Sequence, residues 1–150
     1  MTQMLRRLEQ TGNNSFLLVG APGVDDGATA DTGAVLMFTV RSGACDLVWK
    51  TLGASRRGEL GVALATYRTN ELFPETVIVA GAPGVDSVHL LNETGTLSPA
   101  MTDPLGQRGE RLGSAVAAIR DSVGGFNHTI VAGAPLYDHG DTADTGRVVA

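Results

Sequence analysis

The tripeptide Gly-Ala-Pro occurs three times, at Gly20-Ala21-Pro22, Gly81-Ala82-Pro83 and Gly133-Ala134-Pro135, each time closing a short apolar run. Those runs are Phe16-Leu17-Leu18-Val19, Thr76-Val77-Ile78-Val79-Ala80 and Thr129-Ile130-Val131-Ala132, and the glycines lie 61 and 52 residues apart (20 to 81, 81 to 133). A period of this size marks a chain built from stacked supersecondary units, which cannot each bury their apolar faces alone. A second element precedes two of the three: Leu60-Gly61 and Leu112-Gly113 each stand 20 residues before the glycine of the following Gly-Ala-Pro. Leu52-Gly53 and Leu105-Gly106 recur earlier still.

The loops after the first and third tripeptides also repeat, matching at Asp25 and Asp138, Gly27 and Gly140, Thr29 and Thr142, and Asp31-Thr32-Gly33 and Asp144-Thr145-Gly146. The central unit omits this loop and passes from Gly84-Val85-Asp86 almost directly into Ser87-Val88, which accounts for most of its shorter period. Apolar runs rich in Val, Leu and Ile, cut by Gly, Pro, Asn and Asp, predict an all-β chain. One complete unit reads as four strands: Gly61–Tyr67, Val77–Ala82, Val88–Asn92 and a weak segment near Leu105. Third strands are expected at Ala34–Val40 and Arg147–Ala150 as well. The second strand of each unit is apolar at nearly every position, so both of its faces should be covered. Val77–Ala80 and Ile130–Ala132 are accordingly placed at the buried centre. Antiparallel sheets stacked face to face are the arrangement of propeller blades. Glycine after the buried strand permits close backbone approach, and the following proline stops the hydrogen-bond ladder.

Net charge is −5 and 43% of the 150 residues are hydrophobic, with no apolar run of 18 or more. No membrane span is therefore expected, and the acidic balance argues against a nucleic-acid partner. Met1 to Gln10 holds no apolar core of a secretory signal. Cys45 stands alone and is expected as a small buried hydrophobe. Asn13, Asn92 and Asn127 begin Asn-x-Ser/Thr sequons, which read either as glycan acceptors or as chance in a Ser/Thr-rich chain.

Little else resembles chemistry. His89, His128 and His139 lack zinc-site spacing, Ser114 is not in a nucleophile elbow, and there is no phosphate-cradling glycine loop. Nothing points to an enzyme. The acidic loops Asp25, Asp26, Asp31 and Asp138, Asp141, Asp144 with His139 are candidate sites for a cation or for a partner's basic residue. The habit of Asp in turns explains the same residues unaided and is the preferred reading. Trp49 is expected to pack between adjacent sheets.

The Leu-Gly opening, the Val-Gly-Ala-Pro close (Leu18-Val19-Gly20-Ala21-Pro22 and its copies) and the third element (Gly33-Ala34-Val35, Gly146-Arg147-Val148-Val149) resemble the FG-GAP repeat of the integrin α-subunit β-propeller. The resemblance covers nearly the whole chain. It implies a partial propeller, with a partial blade at 1–53, a blade at about 54–106 and a partial blade at about 107–150. A fragment of a larger propeller is expected, poorly soluble or self-associating by itself. The resemblance further implies a non-catalytic binding or adhesion module, extracellular or at the cell surface, meeting protein or glycan ligands through its loops. Its other partners would be the remaining blades or other copies of the chain. The alternative it carries is a segment accessory to a phospholipase-D-like hydrolase domain. No cofactor is expected, because the family's calcium loop, aligned from Asp121 through Val123, Gly125 and Phe126 to Thr129, keeps only Asp121.

Overall fold

The computed structural model describes residues 4–11, 14–41, 44–69, 75–120 and 128–150. Strands β1 (Met4–Thr11), β2 (Asn14–Gly20), β3 (Ala34–Arg41) and β4 (Ala44–Leu52) form a first sheet in sequence order. Strands β5 (Leu64–Arg68), β6 (Thr76–Ala82) and β7 (Ser87–Leu91) form a second sheet, and β8 (Ala115–Arg120), β9 (His128–Ala134) and β10 (Arg147–Val149) a third. Every strand pairing in these sheets is antiparallel. Consecutive antiparallel strands need only short connections, which the Gly- and Asp-rich segments provide. The chain is thus all-β, in stacked blade-like sheets that do not close into a barrel, and a 3-10 turn at Pro83–Val85 is the only helical element among the described residues.

Strand β6 shows why the sheets stack. Ile78, Ala80 and Ala82 enter one apolar cluster with Leu18, Val35 and Met37 of the first sheet. Val79 enters the other, with Ala63, Ala65 and Val88 of its own unit and Val116, Ala132 and Ala134 of the third. Successive side chains of a strand point to opposite faces, so a strand without polar alternation is stable only between two neighbours. Ile78, Val79 and Ala80 are each 0% exposed.

Glycine sets the spacing at the inner end of the stack. Gly61 and Gly113 both adopt a φ of 92°, outside the range that suits other residues. Their N–H groups donate to the carbonyls of Gly81 (2.9 Å) and Gly133 (3.0 Å) in the same unit. Their other side abuts the Gly-Ala-Pro glycine of the preceding unit: a Cβ on Gly81 would lie 2.9 Å from the carbonyl carbon of Gly113 and closer still to its oxygen, and Gly20 faces Gly61 likewise.

Four expectations are corrected. The opening strand of the second unit starts at Leu64 and not Gly61, because Gly61 turns and the Val62 N–H closes on the Glu59 carbonyl (3.2 Å). The fourth segment of that unit lies around Leu97 and Met101, joined to β7 by isolated bridges, whereas Leu105 is 79% exposed. Pro99 lies between these bridges and has no N–H to donate, which keeps the segment from forming a continuous ladder. Cys45 is exposed near the tip of the β3–β4 hairpin, where no sheet covers it. Finally, β9 is covered on one face only: Ala132 is buried, whereas Ile130 and Val131 are half-buried.

Candidate functional site

The turns at one end of the three sheets make a continuous rim, and its two acidic loops share one design. In the first, Asp26 and Thr29 exchange backbone hydrogen bonds (3.0 and 2.9 Å) around Gly27 at a φ of 56°. In the third, His139 and Thr142 do the same (3.0 and 3.1 Å) around Gly140 at 60°. The Asp25 carboxylate accepts the Asp31 N–H at 2.8 Å, and the Asp138 carboxylate accepts the Asp144 N–H at 2.8 Å. Both receiving residues are left-handed, Asp31 at a φ of 52° and Asp144 at 51°. Asp tolerates that conformation better than most residues. Thr32 and Thr145 complete each loop by donating their hydroxyls to the carbonyls of Val24 (3.2 Å) and Tyr137 (2.9 Å).

One carboxylate in each loop therefore holds backbone, while Asp26, Asp31, Asp141 and Asp144 are exposed. Among the described residues no three His, Cys, Asp or Glu side chains converge to hold a metal ion. Asp121, Val123, Gly125 and Phe126 lie outside the described residues, as do Asn13 and Asn127.

Between the acidic loops the rim is tied together by residues that single-site sequence reading passed over. Asp86 occupies the position of Gly33 and Gly146 in the other units and takes the same left-handed conformation, with a φ of 51°. Its carboxylate accepts the N–H groups of Gly109 (2.6 Å) and Arg111 (2.7 Å), clamping the second unit onto the approach to the third. The Gln107 side chain both accepts from and donates to the backbone of Asp138 (2.9 and 3.1 Å). Backbone bonds from Arg57 to Ala30 (2.9 Å), Glu59 to Asp31 (3.0 Å) and Leu136 to Glu110 (3.1 Å) continue the seam. Glu59 and Arg111 are equivalent positions before the two Leu-Gly pairs, and they form an ion pair with each other. Aligning the units shows the signal: a charged residue where its counterparts are glycine, and opposite charges at matched positions.

Several side chains away from the rim brace the sheets and loops. Trp49 packs against the first cluster as expected and donates its Nε1–H to the Glu93 carbonyl at 2.8 Å. The exposed Asn92 uses its Oδ1 to accept from Thr94 N–H, Thr94 Oγ1 and Thr96 N–H (3.1, 2.8 and 2.9 Å), an Asx-turn that shapes the loop. His128 stacks on Tyr67 with ring centroids 4.4 Å apart. Arg147 pairs with Asp103 and lies 4.3 Å over the Tyr137 ring. Half-buried His89 has its Nε2 3.2 Å from Ser87 Oγ. Burial holds its imidazole below the usual histidine pKa, with the Ser98 backbone acting in the opposite sense.

A largely apolar cavity of about 400 Å³ opens between the second and third sheets, lined by Val88, Met101, Leu112, Ile130, Ala132 and Val149 among others. Trp49, Leu91 and Leu97 pack into the core between the first and second sheets. The described residues contain no helix long and apolar enough to cross a membrane. No protein-family model matches the chain, and no curated protein sequence does.

Proposed function

We propose that this chain is a non-catalytic binding module, a segment of an FG-GAP propeller of the integrin-α kind, whose loop rim meets a protein ligand at the cell surface. The observation that carries the reading is the pair of acidic loops. Each is cross-braced by its own Asp and Thr, and together they hold Asp26, Asp31, Asp141 and Asp144 in solvent on a rigid frame. Carboxylates presented this way attract basic side chains, and a rigid frame lowers the ordering cost of binding them. The complementary ligand is a basic stretch on a partner protein. Exposed Asn92 supplies a glycan acceptor in that setting.

An immobilised chain titrated with an arginine-rich peptide tests this. Binding should weaken as salt rises, because exposed charges are screened within about 10 Å at 0.1 M. It should be lost when Asp26, Asp31, Asp141 and Asp144 are all changed to Asn, which tolerates the same left-handed conformation. Equal binding by the fourfold variant, or none by the wild type, would overturn the reading.

A further inference from the structure

The turn that joins β7 to the fourth segment of the second unit is fastened on one side and open on the other. Gly95 is buried at a φ of 80°, and a Cβ there would lie 2.7 Å from the Trp49 ring. The Gly95 carbonyl accepts the Thr51 hydroxyl at 2.5 Å, and the Glu93 carbonyl accepts the Trp49 Nε1–H. The Glu93 carboxylate accepts the Thr76 N–H at 2.8 Å. These bonds hold the turn against the first sheet and against the start of β6. Asn92, Glu93, Thr94 and Thr96 stay exposed on its other side.

Asn92 opens the sequon Asn92-Glu93-Thr94, and its side chain is already oriented. Its Oδ1 accepts from the Thr94 N–H, the Thr94 hydroxyl and the Thr96 N–H. Two of these donors are backbone N–H groups, which can meet only the oxygen, so the amide has one orientation. Its Nδ2 donates to no described residue and is left to solvent. All three bonds close within four residues, so the arrangement forms in the local chain without waiting for the sheets to pack. A glycan is bulky and needs a surface position of this kind.

We propose that Asn92 is an N-glycosylation site whose glycan stands at the end of the sheets opposite the acidic rim. The inference rests on the cell-surface setting of the reading above. The co-substrate is an oligosaccharide carried on a lipid diphosphate. Nδ2 forms a bond to the anomeric carbon, and the bond from that carbon to the diphosphate breaks. The Nδ2 proton is released, and the lipid diphosphate leaves with the bonding electron pair. One N–H of a group that bonds nothing is replaced, and Oδ1 keeps its three donors, so the turn survives the modification. The position follows from the register: β6 runs toward the rim and β7 runs back from it, with Ser87 paired to Ala82 and Leu91 to Ile78. Asn92 follows Leu91, so the sugar leaves Asp26, Asp31, Asp141 and Asp144 uncovered.

The test is to send the chain through the secretory route of animal cells behind a cleavable leader, then to map its peptides by mass before and after glycosidase release. The peptide holding Asn92 should carry a glycan; Thr94→Ser should keep it and Thr94→Val should lose it. Asn92→Asp cannot be modified, yet its carboxylate accepts the same three bonds, so it should melt with the unglycosylated wild type. Asn92→Gln sets the amide one methylene too far out and should melt several degrees lower. Glycosylated wild type and Asn92→Asp should bind the arginine-rich peptide equally. An unmodified Asn92 in the secreted chain overturns the assignment and leaves the rim reading standing. Equal melting of Asn92→Gln and wild type overturns the oriented turn, and peptide binding lost only in the glycosylated form overturns the placement opposite the rim. Peptide binding absent from both forms sinks the ligand reading, while occupancy of Asn92 still decides this one.

Discussion

Residues 79–83 and 131–135 are the same pentapeptide, Val-Ala-Gly-Ala-Pro, and the molecule treats them differently. In the second sheet Val79 is 0% exposed between two neighbours, and Gly81 is pressed against the Gly113 carbonyl. In the third, Val131 is half-buried on an open face, and a Cβ on Gly133 would meet nothing nearer than the Ala115 Cβ at 3.7 Å. The proline and alanine behave alike in both copies, ending a strand whose last paired residue is Ala82 or Ala134. Chain-local effects therefore transfer between the copies, and packing effects do not.

The glycines offer the sharpest break. Gly81→Ala should cost about 3 kcal/mol or more, since the added methyl collides with backbone that belongs to the next sheet and cannot swing aside. Gly133→Ala should stay within about 0.5 kcal/mol, the range of open surface changes. Urea titration of both variants measures this, and equal costs would show that the contact at Gly81 relaxes freely.

The valines should differ in the same direction by less. Val79→Ala removes two buried methyl groups and leaves a small void, costing about 2 kcal/mol. Val131→Ala in the monomer should cost less than about 1 kcal/mol, because its side chain already meets water. Denaturant midpoints of the two variants measure the difference, and equal costs would show that Val79 is not held between two packed faces.

The smallest effect concerns the position paired with Ala80 and Ala132 across these strands, which is His89 in one sheet and Val149 in the other. The folded pKa of His89 is lowered, so in the window just below about 6.5 the unfolded chain binds more protons than the folded one. Stability contributed by the neutral imidazole is therefore present above that value and is lost as pH falls toward the folded pKa. His89→Leu, which copies Leu36 of the first sheet, should flatten the slope of melting temperature between pH 7 and about pH 5. An unchanged slope would mean that burial of the ring does not govern its titration.

Much of this architecture is legible in the chain alone. The apolar runs before each Gly-Ala-Pro locate β2, β6 and β9, and the matched loops announce the shared design around Asp25 and Asp138. The absence of polar alternation in Val77–Ala80 foretells its double coverage. Other features are not legible residue by residue. The Asp86 clamp depends on where Gly109 and Arg111 arrive from another unit, and the fourth segment near Leu97 and Met101 is held by bridges to β7 rather than by any run of its own. Cysteine is among the residue types most often buried, yet Cys45 sits where no sheet covers it.

By itself the sequence determined what is decided within a few bonds: where proline stops a ladder, where glycine or aspartate turns left-handed, and which strands need two apolar neighbours. Only the tertiary structure decided which of those strands obtain them. Burial belongs to the surface that arrives on the other side, so Val79 and Val131 share a sequence but not an environment.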